Sequence, residues 1–169
     1  MVSLIPLLEK FLIQFSLNYM RSIKYIVIHH SAGGKAETVK TVDTFHRTKN
    51  WGTAKEPIYA QKSALGWYVQ YHYFIDRKGN FTQCKTSEEI GWHAGVWEVN
   101  KTSIGICVSG NFNIEKPTET QLKTLKTILQ YLMKKYSIKI ENVKFHRDFK
   151  KTDCPGKNMT IGIIKQLVG

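Results

Sequence analysis

The chain has 169 residues and a formal net charge of +12, from 25 Lys plus Arg against 13 Asp plus Glu. A chain of this length buries enough surface to fold as one domain without disulfides or structural metals as staples. The charge narrows the partners to polyanions, whether nucleic acid, anionic membrane or wall polymer, although lysines spread over most surface stretches equally describe a solvated basic surface.

In chain order, "MVSLIPLLEKFLIQFSLNYM" (1–20) places Leu4, Leu8, Phe11, Leu12 and Phe15 at helical spacing, which predicts an amphipathic helix over residues 1–22. Glu9 and Lys10 interrupt the apolar run, and no charged start or small-residue cleavage site is present, so neither a signal peptide nor a membrane span is expected. Docking of this helix on the domain is the simpler expectation, and membrane contact through residues 1–20 is the alternative. The remaining residues, 23–169, then form the domain.

"KYIVIHH" (24–30) is a β-branched run that predicts a buried strand. "AETVKTVDTFHRTKN" (36–50) sets Val39, Val42 and Phe45 on one helical stripe, with His46 at its edge as a structural residue. Residues 51–66 carry no period and read as a surface loop. "VQYHYFIDRKGNFTQCK" (69–85) predicts a hairpin turning through Arg77, Lys78, Gly79 and Asn80. "SIGICVSG" (103–110) is another apolar strand. In 117–136, Thr118 and Gln121 form a capping box ahead of a stripe of Leu122, Leu125, Leu129, Leu132 and Tyr136. A short strand over 142–146 and a closing helix over 159–168 complete the pattern. Interleaved strands and helices predict an α/β domain with a mixed central sheet flanked by helices.

Three cysteines without paired spacing argue against a disulfide framework. Cys84 and Cys107 lie in apolar runs, where cysteine serves as a small buried side chain; Cys154 lies in a polar loop. His146 ends the strand over 142–146, and His29 and His30 end the first strand, where side chains can be held rigidly at the sheet's open edge. Alternation sends His29 and His30 to opposite faces, and because both faces are apolar, periodicity does not choose between them.

Two strand-end histidines and the loop cysteine are ligand types that zinc prefers, and three protein ligands leave a fourth tetrahedral position open, as in catalytic sites. The same residues also admit a metal-free reading, with Cys154 as nucleophile and His146 as its base, although no third group is evident to orient that base. Tyr71 sits in an aromatic cluster with Tyr68, Tyr73 and Phe74, where packing alone is a sufficient role.

"YIVIHHSA", "YHYFIDRKGN", "GWHAG", "NKTSIGICVSG" and "FHRDFKKTDCPG", in this order and at this spacing, resemble the zinc-dependent N-acetylmuramoyl-L-alanine amidases. The resemblance runs from about residue 24 to the C-terminus and points to the branch that holds small phage amidase-type lysozymes and peptidoglycan recognition proteins. It implies that Zn2+ is bound by His29, His146 and Cys154, that Tyr71 is catalytic, and that the amide between N-acetylmuramic acid and L-alanine in peptidoglycan is hydrolysed. Similar wall-recycling amidases use aspartate as the third ligand, and recognition proteins that only bind the wall have lost the cysteine, so Cys154 favours an active hydrolase.

Thr152 stands where the phage lysozymes carry a lysine and the recognition proteins a threonine. Support for the developing oxyanion therefore falls to Thr152, or to Lys150 or Lys151. The resemblance also places His93 and Trp92 at the substrate groove, as an exposed loop. Trp51, Trp67 and Trp97 can stack on sugar or pack the core. The expected partner is peptidoglycan, with no motif of a specific nucleic-acid reader, and a monomer is expected. The implied location is the cytoplasm until release to the wall, as for a phage lysin, or outside the cell.

Overall fold

The computed structural model describes residues 21–169. The predicted N-terminal helix lies outside these residues, apart from Arg21 and Ser22, which are not helical. The strands are β1 (Tyr25–His30), β2 (Tyr73–Ile75), β3 (Phe81–Gln83), β4 (Ser103–Val108) and β5 (Val143–Phe145). The helices are α1 (Val39–Thr48), α2 (Trp97–Lys101), α3 (Glu119–Tyr136) and α4 (Ile161–Val168). The sheet order is β3-β2-β4-β1-β5. β1 runs parallel to β4 and β5, β2 runs parallel to β4, and β3 pairs antiparallel with β2, which makes the sheet mixed.

Central position explains the continuous apolar runs. β4 is buried along its whole length and β1 from Ile26 onward, as expected of strands covered on both faces. Ile26, Ile28, Ile104 and Ile106 pack with Leu125, Leu129 and Leu132 of α3 and Ile164 of α4. The alternate residues face the other way: Val27 packs with Ala94 and Val99, and Cys107 with Phe74 and Val42 of α1. This second face carries the site.

α3 starts as predicted. The Thr118 hydroxyl accepts from the Gln121 N–H, and the Gln121 side chain accepts from the Thr118 N–H. Ser137 ends the helix in the left-handed region at φ 53°. Its stripe is shifted slightly: Ile128 is buried, whereas Leu122 and Tyr136 are only partly so.

Three local readings change. In α1 the buried residues are Val42 and His46, while Phe45 is 58% exposed, because the helix turns His46 toward the sheet and leaves Phe45 on the flank above an open groove. The hairpin strands are three residues each, so Tyr71 lies in a bend before β2 rather than on a strand. α2 was not predicted; five residues are too short to show a period, and its N-terminus has no side-chain cap. Arg77 then braces the rim of the site: its guanidinium donates to both carboxylate oxygens of Glu115 and to the carbonyls of Gly33 and Gly34. Among the described residues, no helix is long and apolar enough to cross a membrane.

Candidate metal centre and groove

Alternation along β1 resolves the histidine pair. His30 turns to the core side, where its Nδ1 accepts the Phe112 N–H at 3.1 Å. His29, on the opposite face with Val27, is fully buried, and its ring centroid lies 4.7 Å from that of His146 and 5.1 Å from that of Tyr71. Cys154 Sγ lies 3.7 Å from His29 Nδ1. One ligand atom from each of His29, His146 and Cys154 falls within 4.8 Å of the others. Three distant points of the sequence thus converge at the C-terminal ends of β1 and β5.

The donors fit a zinc ion. His146 Nε2 donates to the Ala94 carbonyl at 3.0 Å, which leaves Nδ1 as its free lone pair. His29 Nε2 lies 3.0 Å from His93 Nδ1, and its Nδ1 faces the thiol. Burial lowers the pKa of both imidazoles; for His29 the shift is large and is reinforced by His146 and His30, and for His146 the bond to Ala94 partly opposes it. Both are neutral, the form that binds a metal. Burial pushes the Cys154 thiol up to about 12, against the opposing His30 N–H, which reaches Sγ at 3.4 Å, and Arg147. Two neutral imidazoles and one thiol, with no carboxylate in the cluster, make a donor set that suits zinc better than a hard cation.

Beside the cluster lies a groove of about 640 Å³ whose lining includes Tyr71, His46, Trp51, Trp92 and Trp97, with Lys49 and Lys150 as its cations and no carboxylate among the described residues. Lys49 is held between aromatic faces, its Nζ 4.4 Å from the Trp51 ring and 5.3 Å from that of Phe45. A second hollow of about 510 Å³ continues past Tyr71 and His46 to Glu37. Tyr71 has its phenol pushed well above 10, by burial first and then by the Cys107 and Cys154 thiols, so it remains an O–H donor.

The predicted residues fall out unevenly. Trp92 lines the groove as expected, together with Trp51 and Trp97, whereas Trp67 packs with Val42, Val69 and Phe74 in the core. His93 also lines the groove, as expected, but it is not exposed: it is 6% exposed and bonded to His29, because β4 presents Gly105 where a side chain would meet its ring. The Thr152 hydroxyl accepts the Cys154 N–H at 3.3 Å, while Lys150 reaches the groove. His46, read as structural, is both: its Nδ1 accepts the Gln70 N–H at 2.9 Å, and its ring lines both hollows. Lys49, and Ser31 on the wall shared by both hollows, gave no signal in sequence. For His93 one existed, since an isolated glycine in a strand marks the close approach of another group.

Comparison with known proteins places this geometry. Residues 19–157 match the family described as N-acetylmuramoyl-L-alanine amidase. Peptidoglycan-recognition protein SC2 of Drosophila simulans is 28% identical over 146 residues, spanning 81% of this chain and 70% of that protein. The N-acetylmuramoyl-L-alanine amidase LysC of Clostridium intestinale URNW superposes with a TM-score of 0.69 at 29% identity, covering 89% of each chain. The ectodomain complex of peptidoglycan recognition proteins LCa and LCx bound to tracheal cytotoxin is similar at a TM-score of 0.64 and 25% identity, covering 85% of this chain and 81% of that one. With the match spanning most of its length, the chain belongs to the N-acetylmuramoyl-L-alanine amidase family.

Proposed function

We propose that this protein is a zinc-dependent amidase that hydrolyses the bond between N-acetylmuramic acid and L-alanine in bacterial peptidoglycan, a wall-lytic, endolysin-like activity. The observation that carries the reading is the convergence of His29, His146 and Cys154 within 4.8 Å beside an aromatic, carboxylate-free groove. Family membership and the likeness to LysC support the same chemistry.

When bound by these residues, zinc supplies Lewis-acid polarisation of the amide carbonyl and lowers the pKa of a water from 15.7 to about 7. The chain's own groups do the rest. Trp51, Trp92 and Trp97 offer flat apolar faces to the substrate, and Lys49 and Lys150 offer cations to its carboxylates. The Tyr71 O–H donates to the carbonyl oxygen as negative charge builds on it, and the Lys150 ammonium adds a cation on the groove side. Water adds its hydroxyl to the carbonyl carbon, the C–N bond breaks, and the departing alanyl nitrogen takes up the proton. The products are a lactyl carboxylate and a free amine.

A second reading, a recognition module that binds muropeptides without cutting them, is favoured by the likeness to the recognition proteins. Digestion of purified sacculi separates the two. The amidase releases new L-alanyl amino groups, stops on chelation and recovers with added zinc; the recognition module binds the wall and releases none. Lysis at an unchanged rate after metal removal would end the zinc reading.

A further inference from the structure

We propose that His93 is the positioning residue of the metal centre: the Val99 carbonyl, acting through Ser103 and His93, sets the tautomer in which His29 turns its Nδ1 lone pair toward Cys154 and His146. This inference rests on the zinc amidase reading for its consequence but not for its geometry.

The chain of contacts has one consistent polarity. Ser103 Oγ lies 2.5 Å from the Val99 carbonyl oxygen, which can only accept, so the hydroxyl proton sits between those two atoms. Ser103 Oγ then has only lone pairs left for His93 Nε2 at 3.3 Å, and His93 must carry its proton on Nε2. His93 Nδ1 is therefore the acceptor, and the His29 Nε2–H donates to it across 3.0 Å. His29 keeps its other nitrogen, Nδ1, unprotonated and pointing at the thiol 3.7 Å away. The reverse polarity would press two oxygen acceptors together at the Val99 end of a buried site, which a folded chain avoids.

The packing is built for this ring. Ser103 is fully buried and His93 nearly so. A Cβ on Gly105 would lie 2.7 Å from the His93 ring carbons, so glycine alone at this point of β4 admits the imidazole. Ser103 and Gly105 are two residues apart and share one face of β4, which makes the strand both the slot for the ring and the anchor for its proton. Val99 also accepts the Thr102 N–H, so the carbonyl stays satisfied when the serine is changed.

The test uses the full chain in apo and zinc-loaded forms. Zinc affinity is measured at fixed pH by competition with a chromophoric chelator, apo stability by thermal unfolding, and the His29 tautomer in the apo parent by long-range proton–nitrogen NMR. His93→Leu is expected to weaken zinc about 10–100-fold, the usual cost of losing such a partner, while the apo melting temperature changes little. His93→Asn keeps an acceptor near the Nδ1 position and recovers part of the loss, and Ser103→Ala weakens zinc in the same direction but less. Zinc affinity within twofold of the parent in His93→Leu, or an apo His29 protonated on Nδ1, overturns the inference. If His93→Leu does not fold, Ser103→Ala and the parent spectrum decide. A parent that holds no zinc refutes the amidase reading, and its His29 tautomer still judges the relay.

Discussion

A thiol held at about 12 by burial is protonated at neutral pH, so an incoming zinc ion must displace the Cys154 proton. His29 and His146, both shifted downward, are neutral and face the site with an unprotonated Nδ1, so they release none. Zinc uptake near pH 7 is therefore expected to release about one proton per ion, measurable by calorimetry in buffers of different ionisation enthalpy. Cys154→Ser should abolish both the uptake and the release. Tyr71→Phe is expected to lower kcat about 10²–10³-fold with KM little changed, because the lost hydrogen bond forms in the transition state; steady-state kinetics on soluble muropeptide would check it. At this scale the ligand residue types were legible from their strand-end and loop positions. Periodicity did not choose between His29 and His30, because two apolar faces give alternation nothing to discriminate; the family resemblance did, in favour of His29.

Among the elements, α3 was legible almost in full, since its cap and its leucines are local signals. What the sequence hid was a second contact of Gln121, whose Nε2 donates to the buried Ser109 carbonyl at 2.8 Å and ties the helix start to the loop after β4. Thr118→Ala is expected to cost about 1 kcal/mol, the usual loss of an N-cap. Gln121→Ala should cost more, because it also leaves the Ser109 carbonyl without this partner. Each kcal/mol lowers the melting temperature by roughly 2–4 °C in a chain of this size, so calorimetry resolves the order. α1 was only half legible. Its 3.6-residue period was visible, but whether Phe45 or His46 faces the sheet depends on how α1 docks, and long-range partners settle that in favour of the histidine: the Tyr68 and Val69 N–H groups donate to Asp43 and the Gln70 N–H to His46.

For the molecule as a whole, two buried histidines, His46 and His72, weaken the fold in acid. Burial, helped by Lys49 and Lys85, lowers His46 to about 4 from an ordinary 6.5, and burial with Arg21 lowers His72 to about 3. Above pH 6.5 both are neutral in folded and unfolded chains alike, and no stability is lost. As pH falls below 6.5 the unfolded chain takes up protons that the folded one refuses, so stability drops until about pH 4 for His46 and about pH 3 for His72. For His46 the full loss is about 3 kcal/mol. His46→Asn, which can still accept from Gln70, should flatten this part of the stability–pH curve in denaturant titrations.

The candidate metal centre also bears on the architecture. β5 is an outer strand joined to β1 through only three residue pairs, and His146 follows it directly, with Cys154 in the loop beyond. An ion shared by those two residues and His29 would fasten this margin of the sheet to its middle. Stripped of metal, the segment around residues 146–156 should become the first place a protease cuts, and resupplied zinc should protect it, so that the ion would also guard the stretch of chain from β5 to the C-terminus.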